Sequence, residues 1–306
     1  MSEKILLVTS NISGILDATD AASLLARLVR SSDPALAADR IVQLPLVDGG
    51  AGTIDFLVTH SLGSFLEVEA HNARGEDAVV PLGFAGEDGK LAVIEMARAA
   101  GVPTLGTAGT TAGIGELIQD ALDEGAFSIV LGHEEALARD AGLGAAQALG
   151  VCFFDVSGNP LDLAKPSVSL EAIARIDASN RSFSLLSSRI FIARSRSVAA
   201  VPDSSELNRL REIVQRDLGV RPPMVPQSAS AIEFGLTALL GAEVRDGVSL
   251  ILEASGISEA VRRKEFSYAI FFIEQENEGQ ALTEFLELCR ECIPQRAMLS
   301  TSFPSE

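Results

Sequence analysis

Leu131-Gly132-His133-Glu134-Glu135-Ala136-Leu137-Ala138-Arg139-Asp140-Ala141-Gly142-Leu143-Gly144 stands between an apolar run, Phe127 to Leu131, and a small-residue segment, Ala145 to Gly150. The run has the length and character of a buried strand. The segment after the loop reads as a helix closed by Gly150, and Val151-Cys152-Phe153-Phe154 as the next strand. Strand, loop and helix in that order belong to an α/β layer, whose ligands sit at the carboxyl ends of strands. The setting suits a phosphate or a sugar acid. The loop's chemistry does not: two acids and an alanine stand where glycine and hydroxyls are expected.

Toward the amino end, Lys4 to Thr9 reads as a strand. Asp20 to Ser31 carries Ala22, Leu24, Leu25, Leu28 and Val29 at helical spacing, and Ile41 to Leu46 reads as a second strand. This β-α-β opening predicts a parallel sheet. Val47-Asp48-Gly49-Gly50-Ala51-Gly52-Thr53 then leads into a helix from Ile54 to Ser61. Glycines at a helix start let free amides face an anion, and Asp48 is placed to orient a hydroxyl or a metal-bound phosphate. A tight turn with no ligand is the plain alternative.

Phe65 to His71, Ala78 to Phe84 and Leu91 to Met96 follow as strands, then a helix from Gly113 to Glu124. The β-β-β-α-β order ending at Phe127 to Leu131 predicts an α+β module inserted into the parallel domain. Its expected extent is 64–244, with 1–63 and 245–306 forming the outer domain. Further on, Glu171 to Ile176 reads as a short helix, Arg189 to Ala193 as a strand, and Ser204 to Leu218 and Ser230 to Leu240 as helices. Tyr268 to Ile273 should share a sheet with Lys4 to Val8. Gly279 to Cys292 reads as a closing helix and Met298 to Ser302 as a last strand.

Hydrophobic residues make up 47% and charged residues 22% of the 306, with a net charge of −18. That charge repels nucleic acid and anionic membrane, so neither is expected as a partner. Trp is absent and Tyr occurs once, which leaves little for base stacking. Cys152, Cys289 and Cys292 form no disulfide framework, and a reducing cytoplasm is the simplest setting. His133-Glu134-Glu135 with Asp140 offers metal-ligand types, but adjacent residues rarely aim at one ion, and no metal site is expected there. Cys289-x-x-Cys292 has no second pair to complete a zinc site. Arg194 and Arg196 are expected either to pair with Glu134 or Glu135 or to stand on a solvated edge.

Several stretches together resemble the two-domain glycerate kinases. Leu44-Pro45-Leu46-Val47-Asp48-Gly49-Gly50-Ala51-Gly52-Thr53 is similar to the family's L-P-L-A-D-G-G-E-G-T. Ala92-Val93-Ile94-Glu95-Met96-Ala97 is similar to its A-V-I-E-M-A, and Thr110 to Ile118 to its T-T-Y-G-T-G-E-L-I. Gln147-Ala148-Leu149-Gly150 and Leu240-Gly241-Ala242-Glu243 match further words in the same order. The resemblance implies an α/β fold in which a flavodoxin-like parallel-sheet domain is interrupted by a restriction-endonuclease-like α+β domain. It also implies phosphorylation of D-glycerate with ATP and Mg.

The polar words depart from the family. Its G-G-S-A-T-N-D-G-G falls on Glu134 to Gly142, where only Asp140 and Gly142 survive. Its P-D-S-F-K-G becomes Thr9-Ser10-Asn11-Ile12-Ser13-Gly14, without acid or lysine. Its glycine-rich G-A-A-G-G falls near Ser228 to Glu233, and its G-E-G-R-L-D-x-Q-T has no counterpart after Phe271. Phosphoryl transfer is chiefly positioning and charge neutralisation, so added carboxylates and a lost lysine work against it. The expectation is a catalytically degenerate family member with a binding or regulatory role, its partner a small organic acid or a protein, and a homodimer as its assembly. The rival is an active kinase with a rebuilt site, using Asp48 and Asp140 as catalytic acids. Asp48, Gly49, Gly50, Gly52, Thr53, Glu134 and Glu135 are the candidate ligand-binding residues in either case.

Overall fold

A computed structural model describes residues 4–12, 15–86, 88–100, 109–134, 140–166, 168–198, 205–220, 231–274 and 279–299. The chain forms two compact units, residues 1–48 with 248–306 and residues 49–247. In chain order the elements begin with β1 (Lys4–Thr9), α1 (Ala18–Ser32), β2 (Ile41–Pro45), α2 (Thr53–His60), β3 (Ser64–His71), β4 (Asp77–Ala85), β5 (Leu91–Glu95) and α3 (Met96–Ala100). They continue with α4 (Ala112–Asp123), β6 (Ser128–His133), α5 (Leu143–Ala148), β7 (Cys152–Phe154), β8 (Arg175–Asp177), α6 (Phe183–Ser187), β9 (Arg189–Arg194) and α7 (Ser205–Leu218). Last come α8 (Ala231–Leu240), β10 (Glu243–Asp246), α9 (Gly247–Ala254), α10 (Ile257–Arg262), β11 (Phe266–Phe272), α11 (Gln280–Cys292) and β12 (Gln295–Leu299).

The first unit holds a four-stranded sheet in the order β12-β11-β1-β2, parallel throughout. Ile5 pairs with Tyr268 and Thr9 with Phe272, so strands more than 250 residues apart share one sheet, as their apolar character requires. Counted within the unit the order is 2-1-3-4, the start of the flavodoxin-like arrangement. Asp17 caps α1 by accepting the Asp20 amide, and Leu25 and Ala26 of that helix pack on Leu7.

Among the described residues the second unit holds a six-stranded sheet in the order β10-β9-β6-β5-β4-β3 and the small β7-β8 pair. Strands β10, β9, β6 and β5 run parallel, whereas β4 and β3 return antiparallel. One face carries the main core, where Ile94, Leu117, Ile129, Leu143, Phe153 and Phe234 are sealed from solvent. The other is covered by α2. A Cβ on Gly83 of β4 would lie 2.6 Å from Val58 and 2.7 Å from Ile54. The side-chain-free position therefore sets how closely helix and sheet approach, and it places α2 with the second unit.

Of the elements that differ from the sequence reading, three show why. Glu171 to Ile176 is no helix: a 3-10 turn over Leu170–Ala172 gives way to β8, which pairs antiparallel with β7. Ile176 is buried between less buried neighbours, the alternation of a strand. Strand β10, Glu-Val-Arg-Asp, has Val244 as its one apolar residue and forms because the edge of β9 accepts it. The last strand starts earlier than its apolar residues suggest, because Arg296 turns back to the α11 carbonyls of Cys289 and Arg290. No helix among the described residues is long and apolar enough to cross a membrane.

Candidate functional site

The turn ahead of α2 is built from glycine for steric reasons. Gly49 has φ +102°, and a Cβ there would lie 2.0 Å from the Ala193 carbonyl oxygen at the end of β9. A Cβ on Gly132, at the end of β6, would lie 2.6 Å from the Gly49 oxygen. The turn is thus pressed backbone to backbone onto the carboxyl ends of two parallel strands. Gly52, with φ +86°, is the N-cap of α2. The turn's amides are partly spent on the turn itself: Gly49 N donates to Thr53 Oγ1 at 3.2 Å, and Thr53 N to the Gly50 oxygen at 3.3 Å. Asp48 is half-buried beside it.

Two carboxylates approach this turn. Glu95, at the end of β5, is buried and accepts the Ile54 amide at 2.9 Å, which occupies the amino end of α2. Burial pushes its pKa up, partly offset by that amide and by Arg98, with Asp55 and Glu134 adding to the rise. Arg98 lies 3.6 Å from Glu95 and 3.3 Å from Asp55, so it serves both acids. Glu134 follows β6, and its carboxyl lies over Gly50. A Cβ on Gly50 would meet its Cδ at 3.1 Å, Oε1 at 3.2 Å and Oε2 at 3.4 Å. Glu135 lies outside the described residues.

Asp140 does not face this turn's chemistry. It is 8% exposed. Its Oδ2 accepts the Thr111 amide at 2.7 Å, the Thr111 hydroxyl at 2.8 Å and the Gly144 amide at 3.0 Å, and its Oδ1 the Gly142 amide at 3.0 Å. Thr111 Oγ1 in turn accepts the Ala145 amide. One carboxylate therefore ties the starts of α4 and α5 together. A Cβ on Gly144 would lie 2.7 Å from Oδ2, so glycine is needed there. Burial raises the pKa of Asp140 against the pull of these donors.

Sequence reasoning missed a buried charge network at the ends of β6 and β9. His133 Nδ1 lies 2.9 Å from Glu233 Oε1, and Arg194 Nε donates to the same oxygen at 2.7 Å. The second guanidinium nitrogen, Nη2, bonds Glu233 Oε2. Burial would raise Glu233, but hydrogen bonds and charge from His133 and Arg194 outweigh it and hold the carboxyl below its ordinary range. The available signal was an acid inside the otherwise apolar Ala-Ile-Glu-Phe-Gly-Leu-Thr-Ala-Leu-Leu. A buried acid calls for a cation, and Arg194 supplies it. Arg194 therefore engages Glu233. Among the candidates, the structure brings together Gly49, Gly50, Thr53 and Glu134, and sets Asp140 in a separate, closed network. Among the described residues no group of three or more His, Cys, Asp or Glu is arranged to hold a metal ion.

Residues 5–199 match the model of the glycerate kinase family. A glycerate kinase of Halalkalibacterium halodurans is 31% identical over 254 residues, covering 73% of this chain and 66% of that protein. The glycerate 2-kinase of Escherichia coli K12 is 29% identical over 249 residues, covering 72% and 65%. The chain thus spans just under two thirds of the length of these relatives. A crystal structure assigned to glycerate kinase 2 of Salmonella typhimurium LT2 superposes with a TM-score of 0.81 at 22% identity, over all of this chain and 92% of that one, a likeness of fold. The family model spans more than half of the 306 residues and agrees with the two-unit α/β architecture, so this chain belongs to the glycerate kinase family.

Proposed function

We propose that this family member does not phosphorylate glycerate and has a binding or regulatory role, with a small organic acid or a protein as its partner. The observation that carries this reading is the closed state of Asp140. It is the one acid retained in the loop that resembles the family's G-G-S-A-T-N-D-G-G. Four donors already fill its oxygens, and burial hides it. A general base must reach the proton that it removes, and this carboxylate is committed to two helix starts. The described residues also suit Mg–ATP poorly. The Gly49 and Thr53 amides are used within the turn, Glu95 occupies the amino end of α2, and Glu134 adds negative charge beside them.

The test is ADP release from Mg–ATP with D-glycerate as acceptor. No release above the glycerate-free background is expected. Turnover of about 1–100 per second, the ordinary range for kinases, would instead establish a rebuilt site, and Asp48 would then be the first residue to substitute.

A further inference from the structure

Four strands end the two larger sheets, β2 and β12 in the first unit and β3 and β10 in the second. An edge strand shows a row of unused amides and carbonyls, and proteins blunt such rows with charge, proline or cover. Three of these four are blunted. Strand β3 carries Glu67 and Glu69, and its far end is covered: the His71 amide donates to Glu116 at 2.8 Å, and a Cβ on Gly113 would lie 1.8 Å from the His71 oxygen. Strand β10 is short and holds Glu243, Arg245 and Asp246. Strand β2 closes on Pro45, and Leu44 and Pro45 are buried.

Strand β12 has none of these devices. It carries neither acid nor proline in a chain of net charge −18. A parallel strand is ordinarily covered on both faces. Here all but Ala297 are exposed, Met298 by 62% and Leu299 by 44%. Its one charge is turned away: Arg296 Nη1 donates to the Ile293 oxygen at 2.8 Å and to the carbonyls of Cys289 and Arg290 at the end of α11. One side of β12 pairs with β11, from Gln295 opposite Tyr268 to Leu299 opposite Phe272. The amides and carbonyls on its other side meet no partner among the described residues.

We propose that β12 pairs antiparallel with β12 of a second copy about a two-fold axis at Ala297, so that two four-stranded sheets become one continuous sheet. A strand that pairs with itself must tolerate its own reverse. The axis sets Ala297 against its counterpart, Met298 against the stem of Arg296 and Leu299 against Gln295, and no like charges meet. The same operation on β10 opposes Glu243 and Asp246, and on β3 an axis at Glu67 or Val68 opposes glutamates. The occupant is therefore a second copy, and β12 is the edge that admits it. The inference concerns assembly and stands apart from the question of glycerate turnover.

The experiment is sedimentation velocity of the full chain over a dilution series. The parent is expected to pass from 32.1 kDa to twice that mass as concentration rises. Added sodium chloride is expected to favour the dimer, because it screens the repulsion between two chains of charge −18. Met298→Lys sets a cation opposite Arg296 twice in each dimer and is expected to weaken association about tenfold or more. Leu62→Lys adds the same charge in the second unit, at a side chain 93% exposed, and should leave association unchanged. In the parent, deuterium exchange across Gln295 to Leu299 should slow about tenfold at dimeric concentrations. A parent that stays monomeric at every concentration overturns the inference. So does a dimer that Met298→Lys leaves intact, that Leu62→Lys weakens equally, or that forms without slower exchange at 295–299. Both substituted side chains are exposed and thermal melting checks their fold, while the exchange measurement needs the parent alone.

Discussion

Asp140 and Glu233 are both buried carboxylates of the second unit, 8% and 1% exposed, yet they are held in opposite ways. Asp140 receives only neutral donors, three amides and a hydroxyl. Glu233 receives a histidine and an arginine. Burial dominates for the first and lifts its pKa, whereas the cationic partners win for the second and lower it. Burial alone therefore does not set the behaviour of an acid. The charge of its partners does, and the same comparison separates a helix-tying acid from one that pins α8 to the ends of two strands.

The largest expected effect is at Asp140. Asp140→Ala strands the amides of Thr111, Gly142 and Gly144 in the interior. It should cost about 3–5 kcal/mol of stability in urea denaturation, because each buried unmet donor costs roughly 1–3 kcal/mol and the losses overlap. A cost below about 1 kcal/mol would mean that the two helix starts do not depend on it. Glu233→Gln keeps the shape and removes the charge, leaving Arg194 and His133 beside a neutral group. About 2–3 kcal/mol is expected, less than for a fully sealed pair because Arg194 is 20% exposed and can turn toward water.

The pH dependence at these two acids, read with Glu233→Gln and the isosteric Asp140→Asn, sharpens the contrast. Glu233 has a lowered folded pKa, so its contribution is present above the ordinary glutamate pKa and is lost as pH falls through the folded value. Asp140 has a raised one, so ionisation costs stability as pH rises from the ordinary aspartate pKa toward the folded value. The stability difference between parent and Glu233→Gln should grow with pH, and that between parent and Asp140→Asn should shrink. Denaturation curves between about pH 3 and 7 would show slopes of the same sign if the comparison fails.

The smallest effect is expected at an exposed pair. His71 Nδ1 lies 2.7 Å from Glu116, and that hydrogen bond, with the carboxylate's charge, raises the histidine's pKa. The contribution is complete below the ordinary histidine pKa and lost as pH rises through the raised one. With His71 45% exposed, solvent screening limits it to about 0.5 kcal/mol or less. Glu116→Gln should remove most of this slope, leaving the smaller part due to Asp77, 3.5 Å from His71 Nε2. A loss above about 1 kcal/mol would show the pair to be structural.

Legibility differed between scaffold and site. Apolar runs such as Ile5 to Val8 and Tyr268 to Phe272 declared their strands, and their shared sheet followed from two-sided burial. The glycine-rich turn was visible as a turn. Its commitment to its own hydroxyl and carbonyl was not, because Thr53 Oγ1 gives no sign in sequence that it faces Gly49 N. Strand β10 was hidden because an edge strand can form from polar residues when a neighbour supplies the ladder. Glu134 could be marked as an acid in the wrong place, but the glycine beneath it, 84 positions earlier, is a matter of folding alone.

The sequence by itself determined the alternation of strand and helix, the parallel character of the apolar strands and the family to which the words at 44–53, 92–97 and 110–118 belong. The strand and helix pattern arises from periodicity and local turn chemistry, which neighbouring residues carry between them, whereas the family rests on the resemblance of those words to known members. Tertiary structure alone decided which donors each buried acid receives and where the remaining carboxylates come to rest. It gave Asp140 three amides and a hydroxyl, gave Glu233 its histidine and arginine, and laid Glu134 over Gly50. The Gly142 and Gly144 amides lie two and four positions from Asp140, but the Thr111, His133 and Arg194 contacts join residues 29 to 100 positions apart, and no local pattern encodes those.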